Sequence, residues 1–92
     1  MILLVTYNIS EGKRDYSAFY QAIRSNPTIL WWHYINSTWL IKTNESAVEL
    51  SARLRPFIDK VEDSLFIVEL DGKNRHAGWL PQKAWDWIKE NK

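Results

Sequence analysis

The chain has 92 residues, with twelve basic and eleven acidic side chains, a net charge of +1 and no cysteine. That length suits one domain, residues 1–92, with 1–71 as its core and 72–92 as a C-terminal extension. The missing cysteines exclude a disulfide framework and fit a reducing compartment, and the charge balance lacks the basic excess usual in a dedicated nucleic-acid binder.

A chain of this size buries only about 60–65% of its unfolded surface, so its own core is thin. Six tryptophans, four tyrosines and three phenylalanines can thicken it, or a partner subunit can. No cysteine or histidine cluster suggests structural zinc. The apolar run at residues 1–5 has no basic flank and is too short for a signal peptide or a bilayer span. The expectation is a soluble, cytoplasmic protein with no membrane contact.

Residues 2–9 form a β-rich run that ends at the polar stretch 10–14. Asp15 then stands at an N-cap position, and Tyr16, Phe19, Tyr20 and Ile23 follow at helical spacing until Asn26-Pro27 stops the helix. Residues 29–35 and 38–43 read as two strands, separated by the turn pair Asn36-Ser37. Ser46 and Glu49 make a capping-box pattern, and Ala47, Leu50, Leu54 and Phe57 give the buried stripe of a second helix limited by Pro56. A fourth strand, residues 64–70, closes at Asp71-Gly72. After a basic loop, residues 77–80 lead into a last short helix with Pro81 at its first position.

This order predicts an α+β fold. It is a ferredoxin-like βαββαβ sandwich, with an antiparallel four-stranded sheet, two helices on one face, and a short C-terminal strand and helix. Strands one and three are expected side by side and parallel at the centre. The strands are apolar on both faces: Leu3, Val5 and Tyr7 alternate with Ile2, Leu4 and Thr6, and Leu30, Trp32 and Tyr34 with Trp31, His33 and Ile35. With helices covering one face only, the other must meet a second protein surface or the C-terminal extension. A homodimer is expected on that ground, with Leu4, Thr6, Trp32, Tyr34 and Trp85 at its interface. In the last helix Trp85 and Ile88 share a face that Trp87 does not fully join.

The stretch Leu4-Val5-Thr6-Tyr7-Asn8-Ile9-Ser10 and the hairpin Trp32-His33-Tyr34-Ile35-Asn36-Ser37-Thr38-Trp39 resemble CRISPR-associated protein two, a family related in fold to the virulence-associated protein D toxins. The resemblance spans roughly residues 1–80. It implies a homodimer that packs its open sheet faces together and adds a C-terminal strand to the partner's sheet, for which residues 77–80 are the candidate. It also implies an aspartate after the tyrosine, two of which hold a divalent metal across the dimer axis in nuclease members. Here that position is Asn8, a neutral and much weaker ligand for magnesium. The resemblance therefore implies no working metal site and no cofactor, with magnesium required only if nuclease activity is retained.

The sequence singles out no catalytic residue. His33 reads as a packed, hydrogen-bonded histidine and His76 as a solvent-facing one. Glu11, Asp15, Glu62, Asp63, Glu69 and Asp71 are scattered carboxylates that form no evident pair. Lys13 and Arg14 in one loop, and Lys73 and Arg75 in another, can touch phosphate, and Trp79 can stack on a base or anchor a partner. With Tyr7, Asn8 and Ser10 they are the candidate nucleic-acid or partner contacts. The expected function is a non-catalytic homodimeric protein that engages nucleic acid or a nucleic-acid-processing protein. The alternatives are a metal-dependent endonuclease or endoribonuclease of the resembling family, and a protein inhibitor or adaptor on the same fold.

Overall fold

The computed structural model describes residues 2–10, 15–25, 30–70 and 77–91, and for Leu30, Trp32 and Tyr34 the backbone alone. In chain order the elements are β1 (Ile2–Asn8), α1 (Ser17–Arg24), β2 (Leu30–Ile35), β3 (Thr38–Lys42), α2 (Ala47–Leu54), β4 (Ser64–Leu70) and α3 (Gln82–Asn91). The strands lie in the order β2-β3-β1-β4.

The regular part of this sheet is three-stranded. β1 pairs without interruption with β3, from Ile2 opposite Lys42 to Thr6 opposite Thr38. On its other side it pairs along its whole length with β4, from Ile2 opposite Leu70 to Asn8 opposite Ser64. β2 is attached outside β3 through a register that shifts between Trp32 and Ile35. One extra residue there turns Ile35 onto the opposite face from Trp31, because side chains alternate with a period of two.

The sequence expectation is corrected in three respects. The evenly paired four-stranded sandwich is replaced by a three-stranded ladder with an irregular outer strand. The central pair runs antiparallel, since the crossover through α1 leaves β2 parallel to β1 and the hairpin then reverses β3. Residues 77–80 form no strand. α1 and α2 pack on one face, and α3 of the C-terminal extension covers part of the other.

Each helix has a local cause. α2 starts on a full capping box, with Ser46 Oγ accepting from the Glu49 N–H and Glu49 Oε1 accepting from the Ser46 N–H, both at 3.1 Å. It tightens into a 3₁₀ turn over Arg55–Phe57, which Pro56 tolerates. At α1 the N-cap residue is Tyr16, without a side-chain cap of its own. Asp15 performs the capping from one residue further out, accepting from the Ser17 N–H at 2.9 Å and from Ser17 Oγ at 2.5 Å. Those two donors favour the ionised carboxylate and lower the Asp15 pKa, the hydroxyl more than the amide.

Two cores result, one on each side of the sheet. Leu3, Val5, Tyr7, Trp39 and Ile41 meet Tyr16, Phe19 and Ile23 of the α1 layer and Leu50 and Leu54 of α2. On the opposite side Ile2 and Leu40 meet Ala84 and Ile88 of α3, with Leu4, Leu70, Leu80, Trp85 and Trp87 packed around them. Trp85 and Trp87 flank the Ala84–Ile88 stripe from opposite sides, about 160° apart at 100° per residue. Trp87 is partly buried against this core from the side away from Trp85. Arg53 ties the two helices together, chelating Glu45 at 2.8 and 2.9 Å and donating to the Ala22 carbonyl near the end of α1. No helix among the described residues is long and apolar enough to cross a membrane.

Candidate nucleic-acid interface

α1 carries two adjacent stripes. Phe19, Ala22 and Ile23 enter the core, and beside them Ser17, Tyr20, Gln21 and Arg24, at i, i+3, i+4 and i+7, border an open groove of about 520 Å³. Its other wall is Trp31 and His33 of β2 and Trp39 of β3. Among the described residues no carboxylate lines it.

Trp39 is the floor, 2% exposed. Its Nε1–H donates to the Tyr7 hydroxyl at 2.9 Å, which in turn donates to the Asn36 carbonyl at 3.4 Å, so the ring is fixed to β1 and to the hairpin turn. His33 stacks on it at 4.1 Å and 18°, with its Nε2 2.8 Å from the Asn36 carbonyl. Tyr20 lies nearly parallel to Trp39 at 6.4 Å, and Trp31 is tilted against it at 5.0 Å. Trp31 is 42% exposed, with the Arg24 guanidinium 6.0 Å from the centre of its ring. The result is a half-exposed ring with a cation over it, packed on rings that are tied to β1 and to the hairpin turn.

The candidate residues from sequence scatter. Tyr7 is buried in the core and holds Trp39 in place rather than meeting a ligand. Asn8 is exposed at the end of β1 and borders a cleft with Tyr7, Ile9, Asn36 and Ser37, whose donors are neutral amides, hydroxyls and backbone carbonyls. No carboxylate is among these described lining residues. Among the described residues no group of three or more His, Cys, Asp or Glu is placed to hold a metal. The Ser10 N–H donates to Asp63 Oδ1 at 3.1 Å, giving Ser10 a structural role. Trp79 is fully exposed. Lys13, Arg14, Lys73, Arg75 and His76 lie outside the described residues, as do the side chains of Trp32 and Tyr34.

Of the expected interface residues, Leu4 and Trp85 pack within the subunit around α3, and Thr6 donates to the Ser37 carbonyl at 3.3 Å. Among the carboxylates, Asp63 is buried and accepts from Ser10, from the Tyr16 hydroxyl at 2.5 Å and from the Asp59 N–H at 2.8 Å. Burial raises its pKa, but these donors outweigh burial and the net direction is down. It is a structural anchor, not half of a catalytic pair.

Sequence reasoning missed Arg24, Trp31 and Gln21. The signal for Arg24 and Gln21 was present in the Ser17-Tyr20-Gln21-Arg24 spacing, beside the apolar stripe. Comparison of the chain with protein-family models and with curated proteins finds no match.

Proposed function

We propose that this chain is a non-catalytic, cytoplasmic binding protein for single-stranded nucleic acid, taking an unpaired base into the groove between α1 and β2. The observation that carries this reading is the pairing of a half-exposed Trp31 with Arg24 over a fixed aromatic floor. Aromatic faces accept any base by stacking, and an adjacent guanidinium suits the phosphate that follows it. Duplex is a poor fit, because its bases are already stacked. The near-neutral net charge is compatible with a site that relies on stacking more than on counterion release.

A nuclease reading has no support in the groove, where the described residues offer neither a carboxylate nor a set of metal ligands. The test is fluorescence anisotropy with labelled single-stranded DNA and RNA of mixed sequence, against the matching duplex. Single strands should bind more tightly than duplex, and Trp31→Ala should weaken them by about 1–3 kcal/mol, the range of one lost base–aromatic stack. Equal binding by wild type and Trp31→Ala, or none by either, overturns the assignment.

A further inference from the structure

We infer that the outer edge of β4 is a homodimer interface, on which two copies pair Ser64–Leu70 antiparallel about a two-fold axis through Ile67. This inference does not depend on the nucleic-acid reading, since the groove lies at the opposite, β2 side of the sheet.

β4 is the terminal strand of the sheet. All seven of its residues are held in unbroken register by β1 on the inner side, so the outer side is a straight, preformed template. Soluble proteins usually blunt such an edge with lysine, proline or a bulge. The sequence Ser-Leu-Phe-Ile-Val-Glu-Leu has none of these three, and its single charge is Glu69. It also carries exposed apolar area, with Phe66 63% and Val68 39% exposed on the face away from α1 and α2.

The strand is complementary to itself. Placing the axis at Ile67 is the only antiparallel register that engages every residue of β4. It sets Phe66 against the partner's Val68, and Val68 against the partner's Phe66, two aromatic–β-branched pairs of a kind that stabilises sheets. On the other face it sets Glu69 against the partner's Leu65. Leu65 shares a groove with Arg55, and Glu69 points to that same face, opposite the buried Leu3. Each Glu69 therefore comes beside the partner's Arg55, twice across the axis. Val48, Ala52 and Arg55 line the groove at i, i+4 and i+7 of the helical segment, so the two α2 helices come side by side above the joined sheet, with Val48 and Ala52 between them. This charge and shape match is encoded in one strand and its own covering helix, and it selects a second copy over an unrelated strand.

Sedimentation measures it. Wild type should run at twice 10.9 kDa at high micromolar concentration. Glu69→Arg, which sets like charges together, should weaken the dimer by about tenfold or more. Arg55→Glu with Glu69→Arg should restore it, which a merely misfolded variant would not do. Ile67→Cys, in a chain with no other cysteine, should form an intermolecular disulfide on oxidation. A folded wild-type monomer overturns the inference. So does a dimer that ignores Glu69→Arg, or one that the double exchange fails to rescue.

Discussion

The Tyr16 hydroxyl donates to Asp63 Oδ2 at 2.5 Å, joining the entry of α1 to the residue just before β4 across 47 positions of sequence. The same carboxylate takes the Ser10 and Asp59 N–H groups, so one buried anion fastens the end of β1, the start of α1 and the turn into β4. Burial favours the neutral acid, but the donors around this carboxylate hold it in its ionised form.

Asp63→Asn should therefore cost about 1.5–3 kcal/mol at neutral pH, the usual worth of hydrogen bonds to a charged group. The folded-state pKa lies below the ordinary aspartate value of about 3.9, so the unfolded chain takes up the proton first. The stabilisation is complete above that value and is lost as the pH falls through the lower, folded one. Urea midpoints measured from neutral pH downward should converge for wild type and Asp63→Asn in the acid range. A gap that stays constant to low pH would show that the carboxylate's charge contributes nothing.

Arg24 stands beside Trp31 with its guanidinium over the ring, on the exposed side of α1. Arg24→Gln should leave the thermal midpoint nearly unchanged, since exposed substitutions usually stay within about 0.5 kcal/mol. It should weaken single-strand binding, and the slope of log K against log salt should fall by about 0.7, the value for one phosphate contact on a single strand. Binding titrations at several salt concentrations read this directly. An unchanged slope would take the phosphate away from Arg24.

The C-terminal extension offers an internal contrast. Ile88 is 5% exposed against Ile2 and Leu40, whereas Trp79 is 100% exposed. Ile88→Ala should cost about 2–5 kcal/mol through lost burial and a residual cavity. Trp79→Ala, for all its size, should move stability by no more than about 0.5 kcal/mol. Denaturant melts of the two variants check both values. A large loss at Trp79 would mean that its ring is covered in solution.

The sequence alone determined the elements whose causes are local. The Ser46/Glu49 capping box, the Asn36-Ser37 turn and the alternation in β1 each depend on residues a few positions apart, and each lies where its pattern placed it. That both faces of β1 are buried was also legible, because Leu3 and Val5 alternate with Ile2 and Leu4. Which of its two expected coverings the second face takes was not, since α3 reaches Ile2 and Leu40 through contacts more than forty residues apart in the chain. The direction of the central strands and the bulge in β2 depend on long-range pairing that no local window contains. The groove has the same origin. The exposure of Trp31, the burial of Trp39 and the nearness of Arg24 are set by how α1 lies against the hairpin. Spacing along a chain records which side chains share a face, whereas packing between elements decides which of those faces meets water.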